Sequence, residues 1–106
     1  MVVRGEIWLA TLDPTVDSEI QKTRSCVVVS PAEMHDYLRT VIVAPMTTGN
    51  KPAPYRIPVT FQGKTGLILL DQMRTLDKTR LVKKLGAISS TTLTATLETL
   101  QEVFAE

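Results

Sequence analysis

The sequence predicts a β-rich α+β fold, a small and strongly curved antiparallel sheet or barrel with one main helix at its C-terminal end. Three observations predict it. Short β-branched runs such as CVVVS (26–30) and TVIVAPM (40–46) recur along the chain. Such side chains are stiff at χ1 and pack well on a pleated surface. Turns rich in proline and glycine separate the runs and interrupt any longer regular element. In SSTTLTATLETLQEVFAE (89–106), Leu93, Leu97, Leu100 and Phe104 fall at helical spacing on one face, the mark of an amphipathic helix.

GEIWLATL, from Gly5 to Leu12, alternates imperfectly and reads as the first strand. Asp13-Pro14-Thr15 ends it, because Pro14 biases Asp13 towards extended or turn geometry. Val16 to Thr23 is a mostly polar loop leading into a strand from Ser25 to Ser30. In the PAEMHDYL that follows, a short helical turn is expected, with Ser30 as N-cap, Pro31 at its first position and Glu33 completing a capping box. His35 reads as a half-exposed residue of that turn. Thr40 to Met46 is a third strand, and Lys51 to Pro54 an exposed loop. Tyr55 to Phe61 alternates, and its Pro58 places it at an edge or a bulge. Gln62 to Gly66 is a turn in which glycine supplies positive φ. A buried strand starts at Leu67 and turns polar at Asp71. Asp77 caps a short helical turn over Lys78 to Arg80, and Leu81 to Ile88 fits either a strand or a helix. Ser89 or Ser90 caps the terminal helix, whose leucines read as core.

The chain's 106 residues fit one domain, 1–106, with one core. No apolar run reaches the length of a membrane span. MVVRGEIW lacks a signal-peptide core, so a cytoplasmic protein is expected. The single cysteine, Cys26, excludes an internal disulfide and a Cys-rich zinc site. One histidine excludes a pair of imidazoles acting as base and acid. Twelve basic and eleven acidic residues give a formal charge of +1, so any nucleic-acid contact must rest on a local patch. Trp8 reads as strand packing and not as a platform for a base.

Arg24 stands where the polar loop meets CVVV. A guanidinium cannot deprotonate and its planar fork matches a phosphate, so a position with a rigid strand behind it suits anion binding. The plainer reading is a surface arginine paired with Glu19 or Asp17.

Four stretches carry more. RGEIWLATLDPT opens the chain, then come SE followed by Arg24 and CVVVS, then VIVAPMTT, then LLDQMRTLDKTRL. Together, in this order, they resemble the MazF/PemK family of toxin ribonucleases. The resemblance implies a compact SH3-like barrel with a C-terminal helix, the fold of the CcdB/MazF-like plasmid maintenance toxins. It implies a homodimer that cleaves single-stranded RNA at short recognition sequences, with no metal and no cofactor. It also implies a cognate antitoxin, able to bring the complex to DNA, whose acidic flexible tail blocks the RNA groove.

Residue by residue, Arg24 matches the family's loop arginine, Thr47 the threonine closing the third strand, and Glu19 the glutamate of the Ser-Glu loop. These three are the expected catalytic groups. Asp71 and Gln72 match the pair after the fifth strand and, with Ser18, Lys22, Thr48 and Arg74, are the expected RNA contacts. Lys22, Arg56, Lys64 and Arg74 offer a local basic lining. This chain has Ile20 where many members have Gln, Thr23 where many have Gly, and Arg24-Ser25 where Arg-Pro is usual. These departures bear on the loop's conformation and sequence preference.

RNA carries its own nucleophile, the 2′-hydroxyl. The protein has only to stabilise the phosphorane charge, help remove a proton and help the 5′-oxygen leave. Arg24 suits the charge, Thr47 a hydroxyl hydrogen bond to the same phosphate, and Glu19 the base or the orientation of Arg24. Two other classes share the fold. A gyrase-poisoning toxin acts without catalytic groups, but its Trp-Gly-Ile ending is replaced here by Phe104-Ala105-Glu106. An SH3-like binding module needs an aromatic groove, for which five aromatics leave little.

Overall fold

The computed structural model describes residues 1–12, 23–49 and 51–106. Among these, the strands are β1 (Glu6–Thr11), β2 (Thr23–Val28), β3 (Thr40–Thr48), β4 (Arg56–Phe61), β5 (Lys64–Leu69), β6 (Arg74–Asp77) and β7 (Leu81–Ala87). Helix α1 (Ala32–Tyr37) joins β2 to β3, and α2 (Ser90–Phe104) follows β7. Single 3-10 turns cover Leu70–Gln72 and Lys78–Arg80. All pairings are antiparallel, in the order β4-β5-β3-β2-β1-β7, with β6 also on β3.

β3 is the strand on which the sheet turns. Its first half pairs with β6, from Thr40↔Asp77 to Val43↔Arg74. Its last three residues pair with β5, from Met46↔Ile68 to Thr48↔Gly66. One edge of one strand therefore serves two partners, and the sheet curls between them. The outer strands β4 and β7 approach each other. The Phe61 ring lies 3.1 Å from where a Cβ on Gly86 would stand.

Alternation along the strands builds two apolar layers. Ile7, Val27, Val29, Ala44, Ile57 and Ile68 belong to one, against which Leu100 of α2 packs. Cys26, Val28, Val41, Val43 and Leu76 belong to the other, with Trp8 against it. Burying each such side chain is worth about 1.5–3 kcal/mol.

Several expectations hold in detail. β4 is an edge strand, the position Pro58 requires. Asp77 caps its 3-10 turn by accepting from the Thr79 amide at 2.9 Å. Ser89 caps α2 through the Thr92 amide at 3.1 Å. Leu81 to Ala87, which the sequence left open between strand and helix, is a strand.

Others need correction. The turn after β4 is shorter than Gln62 to Gly66. Gln62 and Gly63 alone carry positive φ, 52° and 77°, and β5 starts at Lys64. This is the mirror-image two-residue turn whose twist suits a hairpin. Ser30 does not cap α1, which has Pro31 at its N-cap and no side-chain cap bond. The Ser30 hydroxyl lies 2.6 Å from His35 Nε2 and accepts from the Ile42 amide at 2.9 Å. His35 is accordingly buried, not half-exposed, with its Nδ1 2.9 Å from the Val2 carbonyl. The tertiary bonds outcompete the local box. On α2, Leu93, Leu97 and Leu100 are partly buried, but Phe104 is 71 % exposed.

Glu6 is a buried acid that the sequence did not flag. Its carboxylate accepts from the Val3 amide at 2.8 Å and the Trp8 indole at 3.2 Å, and pairs with Lys84 at 2.7 Å. Burial raises its pKa, but Lys84 and these hydrogen bonds outweigh burial and hold it below the ordinary 4.5. A lowered folded pKa contributes stability that is complete above the unfolded value and lost as pH falls through the folded one. Denaturant unfolding should therefore show an acid limb starting near pH 4.5 that is shallower in Glu6→Gln. Identical acid limbs in the two proteins would remove Glu6 from that account.

Candidate active site

The β2–β3 ladder stops at Cys26↔Pro45. Extending its register by two residues would set Arg24 opposite Thr47, but the strands part there. β2 still holds Arg24 against Ala10 of β1. Across the gap, Arg24 Nη2 donates to the Met46 carbonyl at 3.2 Å, replacing a ladder bond with a side-chain bond. That contact fixes the guanidinium beside the end of β3, and Arg24 is half-buried on the strand.

The parting opens a cleft of about 390 Å³. Arg24 and Ser25 form one wall, and Met46, Thr47 and Thr48 form the floor. The opposite wall is the β4–β5 hairpin, from Phe61 to Gly66. Gly66 brings that wall in. A Cβ there would stand 2.1 Å from the Thr47 carbonyl oxygen, so only glycine permits this register. The Thr47 hydroxyl makes a 3.3 Å bond to the Thr48 carbonyl, long enough to be exchanged for a ligand.

Among the described residues lining the cleft, the charged ones are Arg24 and Lys64, both cations. A low-dielectric wall with one sign of charge concentrates an anionic ligand. The lining offers hydroxyls and an amide as further donors. That set can hold a phosphodiester and stabilise added charge on it.

The structure brings together Arg24, Thr47 and Thr48. It sets Asp71, Gln72 and Arg74 elsewhere. Asp71 is in the 3-10 turn after β5 and makes a two-point bond to Arg56, at 3.2 and 3.1 Å. That bond draws the Asp71 carboxyl below its usual range, though an exposed pair of this kind adds little stability. Gln72 is exposed in the same turn. Arg74 lines a separate, mostly apolar groove with Ile42, Met73, Leu100 and Phe104. It still acts near Arg24: burial pushes the Cys26 thiol up to about 11, and both guanidiniums pull against that rise. Glu19, Ser18 and Lys22 lie outside the described residues.

Of the hairpin wall, the sequence offers Lys64 alone, as part of a basic lining. The wall's place follows from the β3–β5 register, Thr47↔Leu67 and Thr48↔Gly66, which no local pattern announces.

The model of PemK-like, MazF-like toxins of type II toxin–antitoxin systems matches residues 3–104. The chain is 36% identical over 106 residues to "Endoribonuclease PemK" of Escherichia coli, covering 94% of this chain and 80% of that one. It is 38% identical over 95 residues to "Endoribonuclease MazF" of Staphylococcus epidermidis, covering 84% and 79%. Among solved structures, a MazE-MazF complex from Deinococcus radiodurans superposes with a TM-score of 0.81 at 22% identity, covering 96% of this chain and 94% of that one. An endoribonuclease in complex with its cognate antitoxin from Mycobacterial species gives 0.79 at 18%, covering 96% and 93%. At these identities the superpositions speak for the β-rich fold alone.

Proposed function

The chain belongs to the PemK-like, MazF-like toxin family of type II toxin–antitoxin systems, and on that premise we propose that it is a metal-independent endoribonuclease, specific for short sequences in single-stranded RNA. The observation that carries the proposal is the meeting of Arg24 and Thr47 in one cationic cleft, with Arg24 anchored on the carbonyl next to Thr47.

The substrate's 2′-oxygen attacks the adjacent phosphorus. The P–O5′ bond breaks and the departing 5′-oxygen takes up a proton, balancing the one the 2′-hydroxyl loses, so a 2′,3′-cyclic phosphate and a 5′-hydroxyl are the first products. Arg24 donates two hydrogen bonds to the non-bridging oxygens, where charge develops. Thr47 donates its hydroxyl to the same phosphate. Glu19 accepts the 2′-proton or orients Arg24. Asp71, Gln72 and Arg74, set apart from the cleft, act on RNA further along the strand, with Ser18, Lys22 and Thr48 nearer the cut.

The protein works as a homodimer, and a cognate antitoxin with an acidic flexible tail neutralises it. A cationic cleft built for a phosphodiester also accepts carboxylates, which is how such a tail would exclude RNA. Both partners rest on the family, whose solved members include toxin–antitoxin complexes.

Purified protein incubated with a long single-stranded RNA in excess EDTA should give discrete cuts at a shared short sequence. Cutting that EDTA abolishes and magnesium restores would contradict the metal-free route. Intact RNA with a folded protein would contradict the ribonuclease reading itself.

A further inference from the structure

The geometry points to Lys64 as a second phosphate-binding residue, gripping the nucleotide next to the one whose phosphate Arg24 holds. The inference rests on the ribonuclease reading and extends it to how the strand is laid across the cleft.

Lys64 is the first residue of β5, directly after the Gln62-Gly63 turn, and pairs with Phe61. The turn is fixed by its two left-handed residues, so the lysine's backbone is held although its side chain is exposed. Phe61 anchors the other side of the pair by packing over Gly86. Lys64 lines the wall opposite Arg24, with the Met46–Thr48 floor between them. Three cations elsewhere in the fold are already engaged: Arg56 holds Asp71, Lys84 holds Glu6, and Lys78 holds the His35 carbonyl. Lys64 has no ion-pair partner among the described residues, and the cleft's described lining has no acid.

Two cations on opposite walls of one cleft suit a polyanion better than a single phosphate. Arg24, half-buried and tied to a carbonyl, is placed for one fixed geometry. Lys64 is a mobile point charge on a flexible stem. It can follow a phosphate as the strand bends but cannot impose the fork geometry that stabilises a phosphorane. Its contribution is then made equally to substrate and transition state, which lowers KM and leaves kcat alone.

The test uses Lys64→Ala, Lys64→Glu and Lys64→Arg with a short single-stranded RNA containing one mapped cut. Lys64→Ala should raise KM about three- to tenfold with kcat within twofold. Lys64→Glu should raise it further, and Lys64→Arg should restore it. The salt dependence of log(kcat/KM) should become shallower by about 0.7 in Lys64→Ala, the loss of one single-strand phosphate contact. Unfolding midpoints should match the wild type.

The same series is measured for binding to the oligonucleotide carrying a 2′-deoxy nucleotide at the cut. Wild-type KM, affinity and salt slope in Lys64→Ala would overturn the assignment, as would a fall in kcat at unchanged KM. A wild type that binds this strand without cutting the all-RNA strand would contradict the ribonuclease reading, and the binding series would still decide Lys64. A wild type that binds no single-stranded RNA would overturn both.

Discussion

Arg24→Ala should lower the single-turnover rate of RNA cleavage by about 10²–10³-fold, the scale of one preorganised donor lost from a developing negative charge. The fold should survive. Arg24 sits near the start of β2 and its bond to the Met46 carbonyl is worth about 1 kcal/mol net. A small drop in unfolding midpoint, an unchanged far-ultraviolet spectrum and loss of cleavage is the expected combination. Arg24→Lys keeps the charge but not the fork, so it should recover only part of the rate. Arg24→Ala within threefold of wild type would remove the guanidinium from the chemistry.

Gly66→Ala should damage both stability and catalysis, although residue 66 carries no chemistry. The added Cβ would stand 2.1 Å from the Thr47 carbonyl oxygen and 3.4 Å from the Thr48 Cα. Backbone cannot yield as a side-chain tip can. The Thr48↔Gly66 pair must open, and Thr47 moves with it. Overpacking of this kind costs about 1–3 kcal/mol, and a displacement of the order of 1 Å at a reacting group costs about 10²-fold in rate. Gly63→Ala is the comparison. Nothing lies within 4 Å of a Cβ there, so only its positive φ of 77° resists the change, at about 1 kcal/mol. Denaturant unfolding and cleavage rates on the two variants separate packing from backbone conformation. A Gly66→Ala protein as stable and as active as Gly63→Ala would show that the β3–β5 register does not position Thr47.

The strands were legible where burial writes itself into sequence. CVVV and TVIVA are β-branched because Val27, Val28, Val41 and Val43 are wholly enclosed. Leu81 to Ala87 was ambiguous for the opposite reason. It is an edge strand, and Val82, Lys83 and Lys84 are all exposed, so it carries no clean alternation; lysines on an edge also discourage pairing with another chain. Ser30 and His35 were misread because the sequence shows a local cap and hides the partners that displace it, the Ile42 amide and the Val2 carbonyl.

In the site, Arg24 and Thr47 could be read from motifs on two adjacent strands. Their proximity follows from the β2–β3 register, Cys26↔Pro45. Of the facing hairpin, the sequence offered Lys64 alone, as part of a basic lining, and neither Phe61 nor Gly66. All three enter the cleft through pairing of β5 with the far end of β3, and a glycine that looked like part of a turn is the closest approach of two strands. Asp71 was legible only through its match to the family's Asp-Gln pair, and its bond to Arg56 could not be read from the sequence.

The most direct measurement compares two oligonucleotides identical except at the nucleotide preceding the mapped cut, which carries a 2′-hydroxyl in one and hydrogen in the other. Both are incubated with the wild-type protein in EDTA. Attack by the 2′-oxygen predicts that the first is cut to a 2′,3′-cyclic phosphate and a 5′-hydroxyl, and that the second is bound but stays intact. Cleavage of the 2′-deoxy strand at the same position would contradict it.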